Sequence, residues 1–243
     1  MKQKLFPLII LAALAFTLNA QETPRKWKFH LDGSGLINSG NVNSISISQG
    51  GGADRNDSII AFSGSYKYIY GEQEHIMSNR ELATGIQFDL WQYNRFSPFV
   101  AATDLINRFK GYDNKLSLLA GAKYRIYSLP GICDYSVSAA FVGEFINYYG
   151  DADGLKTEIA RLSVRAKIKQ KIGENVNLSH TTFYQPAIHD FGDFSINSTT
   201  RLETSILKNL FVGIVFTYEH RSVVPENVKK NDTRTELSLR VTF

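Results

Sequence analysis

The closing stretch, Arg234-Thr235-Glu236-Leu237-Ser238-Leu239-Arg240-Val241-Thr242-Phe243, constrains the fold of this chain more than any other segment. Leu237, Leu239, Val241 and Phe243 alternate with Glu236, Ser238, Arg240 and Thr242 up to the last residue. A β-strand sends successive side chains to opposite faces, so a strand here has one apolar face and one polar, charged face. The apolar face must lie against something apolar, either a core or a lipid. Which of the two depends on whether the same alternation recurs along the chain.

It does recur. Trp27, Phe29, Leu31 and Ile37 share a face against Lys28, His30, Asp32 and Ser34; Ile45 and Ile47 alternate with serines. Phe62, Tyr66, Tyr68 and Tyr70 oppose Ser63, Ser65 and Lys67, and Leu82, Ile86 and Phe88 oppose Glu81, Gln87 and Asp89. A fifth strand is marked by Phe99, Ala101, Thr103 and Leu105. Later strands set Leu116 to Ile126 against Lys115, Lys123 and Arg125, and Val137, Phe141 and Phe145 against Ser136, Ser138 and Glu144. Leu162, Val164 and Ile168 oppose Arg161, Arg165, Lys167 and Lys169. Ile196 to Ile206 oppose Arg201 and Glu203, and Ile214 and Phe216 oppose Glu219 and Arg221. Turn formers punctuate these segments: Ser39-Gly40-Asn41, Pro130-Gly131, Gly173-Glu174-Asn175 and Lys208-Asn209. Gly and Asn tolerate the backbone angles of tight turns, and Pro presets one of them.

The spacing predicts about twelve antiparallel strands in one domain over residues 21–243. Alternate connections differ in length: 54–57, 92–98, 129–134, 172–175 and 208–209 form one set, and 71–75, 107–114, 148–154, 185–191 and 223–231 a longer one. An even strand number and short turns at one end only are the pattern of a transmembrane up-and-down β-barrel. Aromatics gather near strand ends (Trp27, Tyr70, Trp91, Tyr93, Tyr127, Tyr148, Tyr184, Phe211 and Tyr218 among them), where an amphipathic ring fits a membrane interface. A mean hydropathy of -0.18 argues nothing against this, because a barrel hides its apolar residues at every second position. A soluble β-sandwich also alternates, but here the apolar face is longer than one shared core needs.

Residues 1–20 read as an export signal: basic Lys2 and Lys4, an apolar run from Leu5 to Leu18, and a small-residue site ending at Ala20. A membrane-spanning helix needs about 20 apolar residues, and this run is shorter. The lone Cys133 rules out an internal disulfide. With 27 basic and 23 acidic side chains, net +4, the balance is too even to suggest nucleic-acid binding.

Two resemblances follow from particular residues. The final alternating strand ending on Phe243 resembles the closing strand of bacterial outer-membrane barrels. That resemblance implies that Leu237, Leu239, Val241 and Phe243 are the signal read by the barrel insertion machinery. The Gly-rich first strand running into Ser39-Gly40-Asn41 is similar to the salt-induced outer membrane protein family, which contains a domain of unknown function. So are Tyr184-Gln185-Pro186 with Asp190, and the stretch from Ser222 to Pro225 with Asp232. The match implies an outer-membrane barrel in contact with outer-membrane lipid, and a link to salt or envelope stress.

His30, Asp32 and Ser34 share one face, but residues two apart on a strand lie roughly 7 Å apart, too far for direct relay between nucleophile and base. No metal-ligand cluster or phosphate-cradling loop appears, and Gly50-Gly51-Gly52 lacks a strand–loop–helix setting. The expectation is therefore no enzyme and no cofactor, with an outer-membrane lipid hydrolase or a ligand-binding barrel as the alternatives. The charged face is the more informative feature. Lys115, Lys123, Arg125, Arg161, Arg165, Lys167, Glu203, Glu219, Glu236 and Arg240 are the candidate lumen lining. A wall of Lys and Arg in a water-filled pore favours small anions. In a narrow barrel the same side chains pair across and fill the interior, and a mostly filled, salt-bridged lumen is the expectation here.

Overall fold

The computed structural model describes residues 27–38, 44–57, 59–149, 156–224 and 229–243. The expected leader (1–20), the Ser39-Gly40-Asn41 turn and much of the 148–154 and 223–231 connections lie outside the described residues. Twelve strands run in chain order: β1 (Trp27–Asn38), β2 (Ser44–Asn56), β3 (Ile60–Gln73), β4 (Ile76–Leu90), β5 (Phe96–Asn107) and β6 (Tyr112–Leu129). They continue with β7 (Cys133–Tyr148), β8 (Lys156–Ile172), β9 (Val176–Pro186), β10 (Phe194–Leu207), β11 (Leu210–Arg221) and β12 (Asn231–Thr242). Each pairs antiparallel with its neighbours in sequence, and β12 returns to β1 to close the barrel.

The closure is short. β1 and β12 pair from His30↔Thr242 to Gly35↔Leu237, and the Phe29 and Phe243 backbones exchange hydrogen bonds of 3.3 and 2.9 Å beyond that ladder. Phe243 thus extends the seam at that end, while residues 36–38 of β1 and 231–236 of β12 have no partner across it among the described residues. We call the end where β1 begins and β12 finishes the near end, and the opposite one the far end.

Directly paired residues share a face, so the register fixes which side chains point in. The outer wall is apolar: Phe141 is 67% exposed and Leu237 65%, while inward Glu236 is 2% and Glu144 3% exposed. Such an inside-out distribution suits a barrel surrounded by lipid rather than water. Rings meet near the near-end rim, with Trp27–Phe62 and Phe62–Phe88 centroids 5.9 and 5.0 Å apart, and near the far end at Tyr184–Phe194, 5.7 Å apart. Two aromatics expected in these girdles face the interior instead. Phe211 pairs with Arg240, and Tyr148 with Tyr112, whose hydroxyl accepts from Arg221 on the opposite wall.

β5 differs in the same way. Phe99, Ala101, Thr103 and Leu105 point inward, and Val100, Ala102, Asp104 and Ile106 form its outer wall, because Phe99 pairs with inward Asp89 and Val100 with outward Phe88. Both faces of this strand are mostly apolar, so its alternation alone could not orient it. Buried Ser97 and Asn107 do so by bonding Leu90 O and Glu81 respectively. One far-end connection is also tighter than expected: β3 and β4 extend to a two-residue turn, Glu74-His75, both in the left-handed region (φ 49° and 63°).

The outer wall of β9 and β10 carries a small polar island. His180 Nδ1 lies 2.8 Å from Thr200 Oγ1, its Nε2 lies 2.9 Å from Thr182 Oγ1, and Thr182 bonds Ser198 at 3.0 Å. These groups satisfy one another, which is the condition for polar groups to persist against hydrocarbon.

Candidate functional site: the charged lumen

Three voids follow one another along the barrel interior. A near-end vestibule of ≈ 900 Å³ reaches His30 and Arg240, which also line a middle void of ≈ 550 Å³. The middle void reaches Lys110 and Glu219, which also line a far-end void of ≈ 380 Å³. An ionic cluster stands at each junction.

At the near junction, Asp32 on β1, Arg201 and Glu203 on β10 and Arg240 on β12 form a closed ring. Arg201 Nη1 donates to Asp32 Oδ1 (3.1 Å) and Glu203 Oε1 (2.9 Å). Arg240 donates to the same two carboxylates at 2.7 and 3.0 Å. Asp32 and Arg240 are direct cross-strand partners, and Arg201 and Glu203 lie two apart on one strand, so the strand period sets the ring's geometry. Two cations against two anions leave it neutral.

At the far junction the bridging cation comes from a connection rather than a strand. After β5 the chain makes one short 3-10 turn, Arg108–Lys110, capped by Asn107, whose side chain accepts from the Lys110 N–H at 3.0 Å. Left-handed Gly111 (φ 83°) ends it. The turn carries Lys110 Nζ into the lumen, 3.2 Å from Glu81 on β4 and 2.6 Å from Glu219 on β11. Burial pulls the Lys110 pKa down, but the two carboxylates outweigh it and hold the ammonium above its ordinary value. Asn107 Nδ2 also donates to Glu81, at 2.8 Å.

A third cluster fixes the wall. Glu144 meets Lys115 Nζ at 2.6 Å and Arg161 Nε at 2.8 Å, and Arg161 Nη2 meets Asp193 at 3.0 Å. Arg161 Nη1 further donates to the carbonyl oxygens of Gln185 and Asp193. Arg161 thereby anchors the 187–193 connection against the barrel. Arg125 acts similarly at the near rim, donating to the carbonyl oxygens of Gln92 (2.7 Å) and Tyr93 (3.0 Å), so it clasps the β4–β5 turn more than it lines a path.

The remaining candidates divide unevenly. Lys123 lies 3.4 Å from Asp89, and Arg234 Nε 3.5 Å from Glu236. The Arg165 guanidinium lies over the rings of Phe99 and Phe183, 5.8 Å from each centroid. Lys167, the next inward residue of β8, has no carboxylate within 4 Å among the described residues. The expected insertion residues Leu237, Leu239, Val241 and Phe243 lie on the outward side of β12, opposite this lining.

His30, Asp32 and Ser34 do share the inner face, but no relay links them. Ser34 Oγ bonds Ser48 Oγ, His30 Nε2 is 3.6 Å from Asp32, and the Asp32 carboxylate is engaged by two arginines. The alternation missed Lys110, Glu81, Asp89 and Asp193 as cluster members, and Phe99 as a lumen residue. Lys110 and Asp193 lie in connections, where no period exists to place them. Glu81 and Asp89 stand on the polar face of the alternation, which does not say which cations they meet.

A model of a family described as protein of unknown function, DUF481, matches residues 31–243. No curated protein matches the sequence. Among solved structures, the chain is similar to an outer membrane channel from Pseudomonas putida F1 (TM-score 0.52, 9% identity, 93% of this chain and 98% of that one). It is also similar to the NanC porin (TM-score 0.51, 8% identity, 88% and 97%). A third likeness is to the translocator domain of the autotransporter NalP from Neisseria meningitidis (TM-score 0.49, 12% identity, 97% and 93%). At these identities the first two likenesses speak for the barrel fold alone.

Proposed function

The chain belongs to the DUF481 family of unknown function, and from that premise we propose that it is an integral outer-membrane β-barrel forming a narrow, ionically gated pore. The observation that carries this reading is the file of three voids inside an apolar-walled barrel, with the Asp32–Arg201–Glu203–Arg240 ring and the Glu81–Lys110–Glu219 bridge standing where successive voids meet. Rings of charged side chains set which ions pass a constriction, and mobile ones open or close it. The lumen is thus partly filled, as the packing of side chains in small barrels favours, yet not sealed by apolar residues along its length.

In this reading the leader 1–20 is removed, the near end faces the periplasm, and the far end with Lys110 faces outward. The barrel insertion machinery reads Leu237, Leu239, Val241 and Phe243. Outer-membrane lipid covers the wall, small solutes or ions are the cargo, and the protein is no enzyme. A role in salt stress, which the sequence resemblance implies, is tested by growth of a strain lacking the protein at high salt.

The deciding experiment is conductance of the purified barrel in a planar bilayer. Small, discrete current steps are expected. Their absence at every voltage rejects the pore.

A further inference from the structure

The near-end half of β8 is electrostatically unlike the rest of the lumen. Arg165, Lys167 and Lys169 occupy successive inward positions, roughly 7 Å apart along the strand, and Lys171 follows at its end. Among the described residues none of the four has a carboxylate within 4 Å. The acids beside the row are shared with other cations: Asp134, the cross-strand partner of Lys169 on β7, lies 3.4 Å from Arg125, and Asp89 lies 3.4 Å from Lys123. Lys115, Arg161, Arg201 and Arg240, by contrast, all meet carboxylates at 2.6–3.1 Å.

The neighbouring strands supply hydroxyls beside these cations. Lys167 is flanked by Ser136 on β7 and Thr181 on β9, Lys169 by Ser179 on β9 with Asp134 on its other side, and Arg165 by Ser138 on β7 with Phe183 on its other side. The near-end vestibule reaches Lys169 and Lys171 and, across the lumen, Lys28, another cation with no carboxylate within 4 Å among the described residues. Asp54, the cross-strand partner of Lys28, is its counterweight there, with His30 Nδ1 3.9 Å away. The Arg165 guanidinium lies 5.8 Å from the ring centroids of both Phe99 and Phe183, within cation–π range.

We propose that this half of the lumen is a binding site for a multivalent organic anion, one bearing two or more carboxylate or phosphate groups. A row of like charges on one strand in a poorly hydrated interior is stabilised by counter-charges held at similar spacing. One small monovalent anion meets one ammonium and leaves the others unmatched, whereas a multivalent one spans two or three. The flanking hydroxyls donate to its remaining oxygens. The site deepens the pore reading by naming the class of solute that the periplasmic half retains.

The test is calorimetric titration of the purified full barrel in detergent with citrate, against acetate as the monovalent control. Citrate is expected to bind at least about tenfold more tightly than acetate. The Lys167→Met/Lys169→Met variant loses at least about tenfold in citrate affinity, and Lys208→Met, on the exposed near-end turn, leaves it unchanged. The exposed single change Lys169→Glu serves where the double variant does not fold, and it too weakens citrate. Citrate no tighter than acetate overturns the site, as does wild-type citrate binding by a folded Lys169→Glu barrel. Binding in detergent requires no conduction, so a barrel that takes up citrate without passing current keeps this site and loses the pore.

Discussion

Replacing Lys110 with Met is the perturbation that bears most directly on how the lumen is closed. Lys110 is the only cation within 4 Å of both Glu81 and Glu219 among the described residues, at 3.2 and 2.6 Å, with side chains only 10% and 25% exposed. Removing one partner from a buried ion pair costs about 3–5 kcal/mol, because the remaining charge is left unmatched. Water from the adjoining voids lowers the penalty, so about 3 kcal/mol is the working figure. For a domain of this size that corresponds to an unfolding temperature roughly 6–12 °C lower.

The same change removes the ammonium that ties residue 110 to both walls between the middle and far-end voids, so the side chain is free to swing aside and conductance in planar bilayers rises by about twofold or more. The triple variant Lys110→Met/Glu81→Gln/Glu219→Gln separates the two effects: it regains most of the lost stability and keeps the higher conductance. The pH dependence has a definite sign. A lysine whose pKa is raised by folding contributes stability that is fully present below its ordinary value, and loses it as pH rises through the folded value. From neutral pH the difference in unfolding temperature between wild type and Lys110→Met therefore holds constant up to about 10.5 and shrinks above it. Unchanged conductance and unchanged melting in Lys110→Met together would falsify the latch.

Two further outcomes follow from other parts of the barrel. Arg161→Met strips the 187–193 connection of its guanidinium anchor and leaves Glu144 with Lys115 alone, so limited proteolysis should cut that connection while the twelve-strand barrel stays intact; a protease-resistant variant argues that the anchor is dispensable. His180→Ala leaves the Thr182 and Thr200 hydroxyls without their ring partner and costs about 1–3 kcal/mol, whereas His180→Leu/Thr182→Val/Ser198→Ala/Thr200→Val, which removes the whole network, comes close to neutral. Thermal melting in detergent checks both, and equal losses in the two variants would mean that the polar island contributes nothing as a network.

The alternation of Leu237 to Phe243 with Glu236 to Thr242, repeated through the chain, was enough to specify the strands, their even number and which face is apolar. A period of two is a local property, imposed by backbone geometry on adjacent residues, and it needs no knowledge of the rest of the molecule. It failed where that local signal was weak, as on β5, whose orientation was settled by Ser97 and Asn107 reaching other strands. Which charges meet was decided only by closure of the sheet. Asp32 and Arg240 are 208 positions apart, and Lys110 and Glu219 are 109 apart, and each pair exists because the closed wall brings distant strands around one narrow interior. The lone basic run of β8 has the same origin: its residues were legible in the sequence, but their lack of carboxylate partners is a property of what the opposite wall presents to them.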